Sequence, residues 1–167
     1  RRHQQHHINV YATVALAEAA AQQGLPLLFG KAPQDGRNFF MDSVATLKKG
    51  EAVYAFEDEY RSMMSTAVAA QWWLLALAYP LDEAVPWSDK ERLLHLSSME
   101  GQSRYAFMVA VARQLGPDPN LVQKGQQRDA PNSHTRPADV RLNNRLARKL
   151  FNYTPPALAE QLSTVFN

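Results

Sequence analysis

The stretch STAVAAQWWLLALAY, residues 65–79, constrains the fold of this chain more than any other segment. It carries no charged side chain, and a helix formed by it would be apolar on nearly every side. Such a helix is normally buried in the body of a domain, with other elements packed around it. Trp72 and Trp73 are adjacent and point in different directions, and we expect both to serve in the core. No apolar run reaches about 18 residues, so no membrane span is expected.

Helical and extended patterns alternate on both sides of this stretch. Apolar residues at helical spacing predict further helices at 8–23, 38–50, 104–116, 144–151 and 154–166. Short apolar segments predict strands at 25–29, 51–56 and 92–98. Strands separated by helices favour an α/β architecture with a partly parallel sheet. Because the strands are few and short, the sheet is expected to be small or incomplete.

Two of these helices have candidate residues for the cap at their start. Ser103 can cap the helix RYAFMVAVARQLG with its hydroxyl oxygen. Asn143 or Asn144 can cap the short basic helix that follows. The acidic run EDEY, residues 57–60, is interpreted as a solvated turn after a strand rather than as a catalytic cluster.

Composition is typical of a single globular domain. The chain has 167 residues, of which 46% are hydrophobic and 20% are charged, and this argues against intrinsic disorder. Cysteine is absent, which excludes disulfides and thiolate metal sites. The opening RRHQQHH is not followed by the apolar region of a secretory leader, so a cytoplasmic location is expected.

Positive charge is concentrated in residues 124–150, although the net charge of the chain is only +2. The basic residues of this segment are Lys124, Arg128, Arg136, Arg141, Arg145, Arg148 and Lys149, against the acidic residues Asp129 and Asp139. The segment can be a solvated helix face, or it can bind an anion such as a phosphate or a negative protein surface. Nearby aromatic residues are too few to predict a nucleic-acid surface.

The sequence lacks the common motifs of nucleotide binding and hydrolysis. The patterns G-x-G-x-x-G, G-x-x-x-x-G-K-[ST], H-E-x-x-H and G-x-S-x-G are absent. No tyrosine is followed four residues later by a lysine. His3, His6 and His7 have the spacing of metal ligands on a helix, but no nearby carboxylate completes a site. We therefore predict no metal site.

Five segments, taken in order, match motifs of one known superfamily. NVYATVALAEAAAQQG is similar to its Asn-Val-x-x-Thr-x-x-Leu-x-x-x-Ala helix, and LPLLFGKAPQDGRNFF and DEYRSMMSTAVAAQ are similar to later segments. LLHLSSMEGQSRYAFMVAVARQLG and RPADVRLNNRLARKLFNYTPPALAEQL match more specific signatures. Together they resemble the extended short-chain dehydrogenase/reductase superfamily. The closest branch is the dTDP-4-dehydrorhamnose reductase-like one, which also includes the regulatory beta subunit of methionine adenosyltransferase.

The resemblance implies an α/β fold that combines an incomplete Rossmann-like NAD(P)-binding fold with a C-terminal substrate-binding part. Residues 1–29 would be a remnant of the cofactor domain and residues 30–167 the substrate-binding-like part, in a single compact unit. By this comparison, the family's glycine-rich loop would precede Arg1. Its catalytic Ser/Thr and Tyr-x-x-x-Lys would lie between Gly24 and Leu25, where several dozen residues are missing. No residue of this chain therefore inherits a catalytic role.

One interpretation is that the chain is an α/β fragment with no activity of its own. The resemblance implies two further interpretations, each with a function. In the first, an intact parent uses NADP to reduce a nucleotide-linked 4-keto sugar, and this chain alone is not catalytic and has no assigned cofactor. In the second, the chain resembles a non-catalytic regulatory subunit, whose partner is a methionine adenosyltransferase catalytic subunit. Whether the chain is an enzyme stays open at this point.

The candidate substrate-binding residues are Arg136, Arg61, Ser103, Arg104 and Tyr105. Arg136, which precedes Pro137, can pair with a diphosphate or a carboxylate through its planar guanidinium. The other four are candidates for the pocket wall. For each, a structural role in capping, helix anchoring or surface pairing is an open alternative. The expected ligand is a nucleotide-sugar or another anionic small molecule, with no membrane or nucleic-acid partner.

Overall fold

The computed structural model describes residues 28–30, 39–78, 94–130 and 137–166. Its helices there are α1 (Phe39–Lys48), α2 (Thr66–Ala78), α3 (Arg104–Leu115), α4 (Arg145–Phe151) and α5 (Leu158–Phe166). Its strands there are β1 (Leu28–Phe29), β2 (Val53–Phe56), β3 (Tyr60–Arg61), β4 (Met64–Ser65), β5 (Gln102–Ser103) and β6 (Val122–Gly125). No helix within these ranges is long and apolar enough to cross a membrane.

The strands pair in small two-stranded ladders. β1 runs parallel to β4, β2 runs parallel to β6, and β3 runs antiparallel to β5. An isolated parallel bridge also joins Tyr60 to Asp139. The prediction of an α/β fold with a partly parallel sheet is thus confirmed. Parallel partners need a crossover connection, which the intervening helices provide.

The main core lies where α1, α3 and α5 pack with β2 and β6. Its centre is aromatic: the ring centroid of Phe29 lies 5.4 Å from that of Phe40 and 5.2 Å from that of Phe107. A second, smaller cluster surrounds Trp72, which is fully buried and meets Tyr153 edge-on at 4.7 Å. Tilted and edge-on geometries of this kind are the favoured ones for aromatic pairs.

Asn144 occupies the N-cap position of α4, one of the two predicted positions, but its side chain makes no capping hydrogen bond. Asn143 Oδ1 accepts a hydrogen bond from the backbone N–H of Arg145 at 3.0 Å. Asn144 occupies the cap position itself, yet its side chain is buried and donates to the carbonyl oxygens of Ser97 and Ser98, both at 2.9 Å. Asn143 therefore bonds to the first helical N–H from the position before the N-cap, while Asn144 anchors the helix start to the segment at Ser97 and Ser98.

The helix predicted at residues 65–79 is confirmed over Thr66–Ala78, with Ser65 in β4 and residue 79 outside the described residues, but the expected burial all round is wrong. Trp72 faces the second cluster, whereas Trp73, Leu74 and Leu77 remain 43, 61 and 42% exposed. The described elements pack against one side of α2 only, so an apolar sequence on every side does not produce burial on every side. The expectation of a core role is right for Trp72 and wrong for Trp73.

Two strand predictions also differ from the structure. Residues 94–98, the described part of the predicted strand 92–98, are irregular. β6 was not expected, because the exposed Gln123 and Lys124 leave Val122 as its one buried apolar side chain. Its pairing with β2, a long-range contact, creates the strand.

Some predictions fall outside the described residues: the helix at 8–23, residues 25–27 of the first strand, His3, His6 and His7, and Arg136. The proposed boundary between 1–29 and 30–167 also stays a prediction. β1 lies at that boundary and pairs with β4.

Candidate functional site

Three buried charged side chains, those of Glu59, Arg61 and Arg104, meet where β3 pairs with β5. They are 1, 2 and 8% exposed, respectively. Glu59 Oε1 accepts a hydrogen bond from Arg61 Nη2 at 2.6 Å, and Glu59 Oε2 lies 2.7 Å from Arg104 Nε. One carboxylate thus lies between two guanidinium groups and compensates their desolvation. The interpretation of EDEY as a solvated turn is therefore wrong at Glu59.

Arg61 also joins β3 to the segment that follows residue 136. Its Nη2 donates to the carbonyl oxygen of Pro137 at 3.1 Å, and its Nη1 donates to the carbonyls of Ala138 at 3.3 Å and Tyr60 at 2.7 Å. Backbone hydrogen bonds between Tyr60 and residues 138 and 140 also join β3 to this segment. The guanidinium of Arg61 is therefore engaged within the protein and fixes the backbone immediately after Arg136.

The start of α3 is attached to the same cluster. Ser103 Oγ accepts a hydrogen bond from the backbone N–H of Ala106 at 3.1 Å, which confirms the predicted cap. The backbone N–H of Arg104 donates to the carbonyl oxygen of Glu59 at 3.0 Å, and its guanidinium lies 4.8 Å from the Phe39 ring centroid. Glu59 therefore holds α3 through both its backbone and its side chain.

An exposed ion pair, Asp139 with Arg141, borders the buried cluster. Arg141 Nη2 donates to Asp139 Oδ2 at 2.6 Å, and the Arg141 guanidinium lies 5.1 Å from the Tyr60 ring centroid. Hydrogen bonds from the Arg141 side chain, and then from its backbone N–H, lower the pKa of Asp139 below its usual value. Gly101 is needed here, because a Cβ would collide with the aliphatic part of Arg141.

Tyr105, the next residue along α3, contacts a different neighbour. Lys124 Nζ lies 5.2 Å from its ring centroid and 2.9 Å from Glu57 Oε2. The hydrogen bond to Glu57 is the main cause that raises the pKa of Lys124. Tyr105 therefore belongs to the edge formed by β2 and β6, whereas Arg104 belongs to the Glu59 cluster.

The structure brings three of the five predicted site residues together: Arg61, Ser103 and Arg104. Tyr105 lies beside them on α3, and Arg136 is outside the described residues. Glu59 was not assigned to the site from the sequence, although its spacing from Arg61 could have indicated it. It stands two residues before Arg61 on an extended segment, and this spacing puts both side chains on one face.

A small pocket lies beside β5, and none of Glu59, Arg61 and Arg104 lines it. Its lining comes from Met63 before β4, from the loop before β5 and β5 itself, including Glu100 and Gln102, and from the start of α5, including Leu158. Gln102 is the ladder partner of Arg61. The lining mixes apolar and polar side chains, as binding sites for small molecules commonly do. Within the described ranges, no group of three or more histidine, aspartate or glutamate side chains is arranged to hold a metal ion.

Comparison with known families assigns this fold. The family described as RmlD substrate binding domain matches residues 28–167. The chain belongs to this family. It is accordingly a member of the dTDP-4-dehydrorhamnose reductase-like branch of the extended short-chain dehydrogenase/reductases. No curated protein matches the chain in sequence.

Solved structures with a similar fold agree with this assignment. A dTDP-4-dehydrorhamnose reductase from Bacillus anthracis, in complex with NADP, has 18% identity and a TM-score of 0.67. A dTDP-4-dehydrorhamnose reductase from Clostridium acetobutylicum has 22% identity and a TM-score of 0.62. Each alignment covers 84% of this chain but only 45% of the other. MoeE5, in complex with UDP-glucuronic acid and NAD, has 17% identity and a TM-score of 0.52, with 82% and 42% covered.

The α/β, partial Rossmann-like fold of the RmlD family is thus established for this chain, which spans less than half the length of these structures. The pyrophosphate of a dinucleotide such as NADP is normally held by a glycine-rich loop at the start of a helix, and the sequence given contains no G-x-G-x-x-G.

Proposed function

We propose that this chain supplies the nucleotide-sugar-binding part of a dTDP-4-dehydrorhamnose reductase-like protein and does not transfer hydride by itself. The observation that carries the proposal is the match of residues 28–167 to a substrate-binding domain family. In an intact parent, NADP would supply the hydride. The sequence of this chain has no tyrosine–lysine pair at the catalytic spacing to supply the proton.

Within this proposal, Arg136 is the residue that meets the anionic part of the ligand. Arg61 supports this role, because it bonds to the carbonyl oxygens of Pro137 and Ala138 and thereby fixes the backbone next to Arg136. Arg61, Ser103 and Arg104 act as the frame of the pocket wall rather than as direct ligands. Both Nη atoms of Arg61 donate within the protein, Ser103 Oγ accepts from Ala106, and Arg104 Nε is paired with Glu59. Tyr105 is the more accessible candidate for contact with the ligand.

Calorimetric titration with dTDP, and then with a dTDP-linked sugar, tests the binding role. We expect the unsubstituted chain to bind dTDP and Arg136→Ala to bind it at least about tenfold more weakly, because one charge-assisted bidentate contact contributes about 1.5–3 kcal/mol. Arg145→Ala is the matched control, because it removes an exposed arginine from the same basic segment. Absence of dTDP binding by the folded, unsubstituted chain would contradict the proposal. Equal losses of dTDP affinity in the Arg136 and Arg145 variants would contradict it as well.

Oxidation of NADPH with dTDP-4-keto-6-deoxyglucose as the acceptor tests the proposal that the chain does not transfer hydride by itself. We expect no turnover above a heat-inactivated control. Turnover above that control would show that the chain performs the reduction unaided.

The regulatory alternative is supported by one segment, HLSSMEGQSRYAFM, which resembles the corresponding segment of the methionine adenosyltransferase beta subunit. This function predicts a complex with a methionine adenosyltransferase catalytic subunit at micromolar concentration. Co-purification of the two proteins, together with no binding of dTDP, would favour it over nucleotide-sugar binding. We propose a cytoplasmic location with either function.

A further inference from the structure

Residues 137–142, which we call the 137–142 segment, run beside β3 and are joined to it by an isolated bridge. The Val140 N–H donates to the carbonyl oxygen of Tyr60 at 3.2 Å. The Leu142 N–H donates to Ser62 Oγ at 3.0 Å. Because the pairing is a bridge and not a continuous ladder, side-chain contacts decide how firmly this segment is held.

Arg141 contacts three neighbours of this segment with one side chain, although that side chain is 49% exposed. Its Nε donates to Asp139 Oδ1 at 2.9 Å, and its Nη2 donates to Asp139 Oδ2 at 2.6 Å. Its guanidinium lies 5.1 Å from the ring centroid of Tyr60, within the range of a cation–π contact. Its aliphatic part lies directly against Gly101. Arg141 therefore joins its own segment to β3 and to the loop before β5.

These contacts depend on the shape of the arginine side chain and not on its charge alone. The hydrogen bond to Asp139 is the main cause that raises the pKa of Arg141, so the guanidinium stays charged within this pair. A planar guanidinium can bind a carboxylate with two nitrogen atoms and lie on an aromatic ring at the same time. The compact ammonium of a lysine reproduces neither geometry.

Gly101 is required by the side chain of Arg141 and not by the local backbone. Its φ lies outside the left-handed region, so an alanine at this position meets no backbone strain. The atoms that an added Cβ would meet are Cγ and Cδ of Arg141, which belong to a flexible side chain. Gly101→Ala would therefore displace Arg141 while it leaves the guanidinium charge in the protein.

We propose that Arg141 is a positioning residue, which holds the 137–142 segment in place for ligand binding and does not itself contact the ligand. Arg61 holds the same segment from its buried side, through the carbonyl oxygens of Pro137 and Ala138. Arg141 holds it from the exposed side, where Gly101 leaves the space for its side chain. The role in ligand binding rests on the proposed nucleotide-sugar function, whereas the hold on the segment does not.

Hydrogen exchange at the amides of Val140 and Leu142 tests the hold on the segment without any ligand. We expect Gly101→Ala and Arg141→Ala each to accelerate exchange at these amides about fivefold or more. The two effects should not add in the double variant, because the added methyl group collides only with the longer side chain. Arg145→Ala removes an exposed arginine of the same basic segment and should leave both exchange rates unchanged.

Titration with dTDP then tests the positioning role. We expect Gly101→Ala to weaken binding at least about threefold, because the ligand must order a segment that is no longer held. Arg141→Lys retains the charge and should bind as weakly as Arg141→Ala. Ser62→Ala removes the acceptor of the Leu142 N–H without touching Arg141. It should also weaken binding, which it would not do if Arg141 acted as a direct contact.

Four results would overturn all or part of the proposal. Equal exchange rates in Gly101→Ala and the unsubstituted chain would show that Arg141 does not hold the segment. Faster exchange with unchanged dTDP affinity would limit Arg141 to a structural role. Recovery of affinity in Arg141→Lys, with Ser62→Ala unaffected, would identify Arg141 as a direct contact. If the unsubstituted chain does not bind dTDP, the proposed function fails and the positioning role with it, whereas the exchange rates still decide the hold on the segment.

Discussion

At the scale of single residues, the buried carboxylate of Glu59 is the feature on which the site depends. It is 1% exposed and lies between the guanidinium groups of Arg61 and Arg104. Removal of this charge would leave two buried cations facing each other, and breaking a buried pair costs more than the pair contributes. The neighbouring acidic residue Glu57 differs, because its partner Lys124 is 59% exposed and water screens the interaction.

We predict that Glu59→Gln lowers the free energy of unfolding by about 3–5 kcal/mol. Glu57→Gln, which removes the same charge two positions earlier, should have a much smaller effect. Urea denaturation of both variants measures the difference. If the Glu59 variant is no less stable than the Glu57 variant, the central role of Glu59 is wrong.

At the scale of secondary structure, the ends of α3 show how local sequence fixes an element that carries the site. Ser103 caps the first turn, and Gly116, with φ at 95°, ends the helix in a left-handed conformation that glycine adopts without strain. Between these two ends, Phe107 and Val111 are buried in the main core. The sequence predicted this helix because caps and apolar periodicity agree along it.

We predict that Ser103→Ala destabilises the chain by about 1 kcal/mol, since the N–H of Ala106 loses its acceptor. Ser103→Thr retains the hydroxyl and should recover part of this loss. Thermal or urea unfolding of the two variants measures the effect. A Ser103→Ala variant with unchanged stability but weaker dTDP binding would instead identify Ser103 as a direct ligand contact.

At the scale of the whole molecule, Gln161 connects parts of the fold that are distant in sequence. It is 2% exposed, accepts a hydrogen bond from the backbone N–H of Ser65 at 2.9 Å, and donates to the carbonyl oxygen of Pro156 at 2.8 Å. Its helix, α5, packs in the main core, whereas β4 leads into α2 and the cluster around Trp72. This side chain therefore links the two apolar clusters.

We predict that Gln161→Met, which is close in size, destabilises the protein by about 1–3 kcal/mol because a buried backbone N–H loses its acceptor. Gln123→Met on the exposed face of β6 is the control and should be nearly neutral. Hydrogen exchange at Ser65 adds a local readout, and exchange there should accelerate in the Gln161 variant alone. Unchanged exchange would show that another group protects this amide.

The sequence alone determined the described helices, the first two described strands, the Ser103 cap and the family, because these depend on local periodicity, cap chemistry and short motifs. Only the tertiary structure decided the burial of Glu59, the existence of β6 and the one-sided burial of α2. Each of these depends on what lies across from the residue: an arginine from α3, a partner strand, or no described element at all. A sequence states which side chains are apolar or charged, but burial and pairing are properties of two surfaces, and the second surface is distant in the chain.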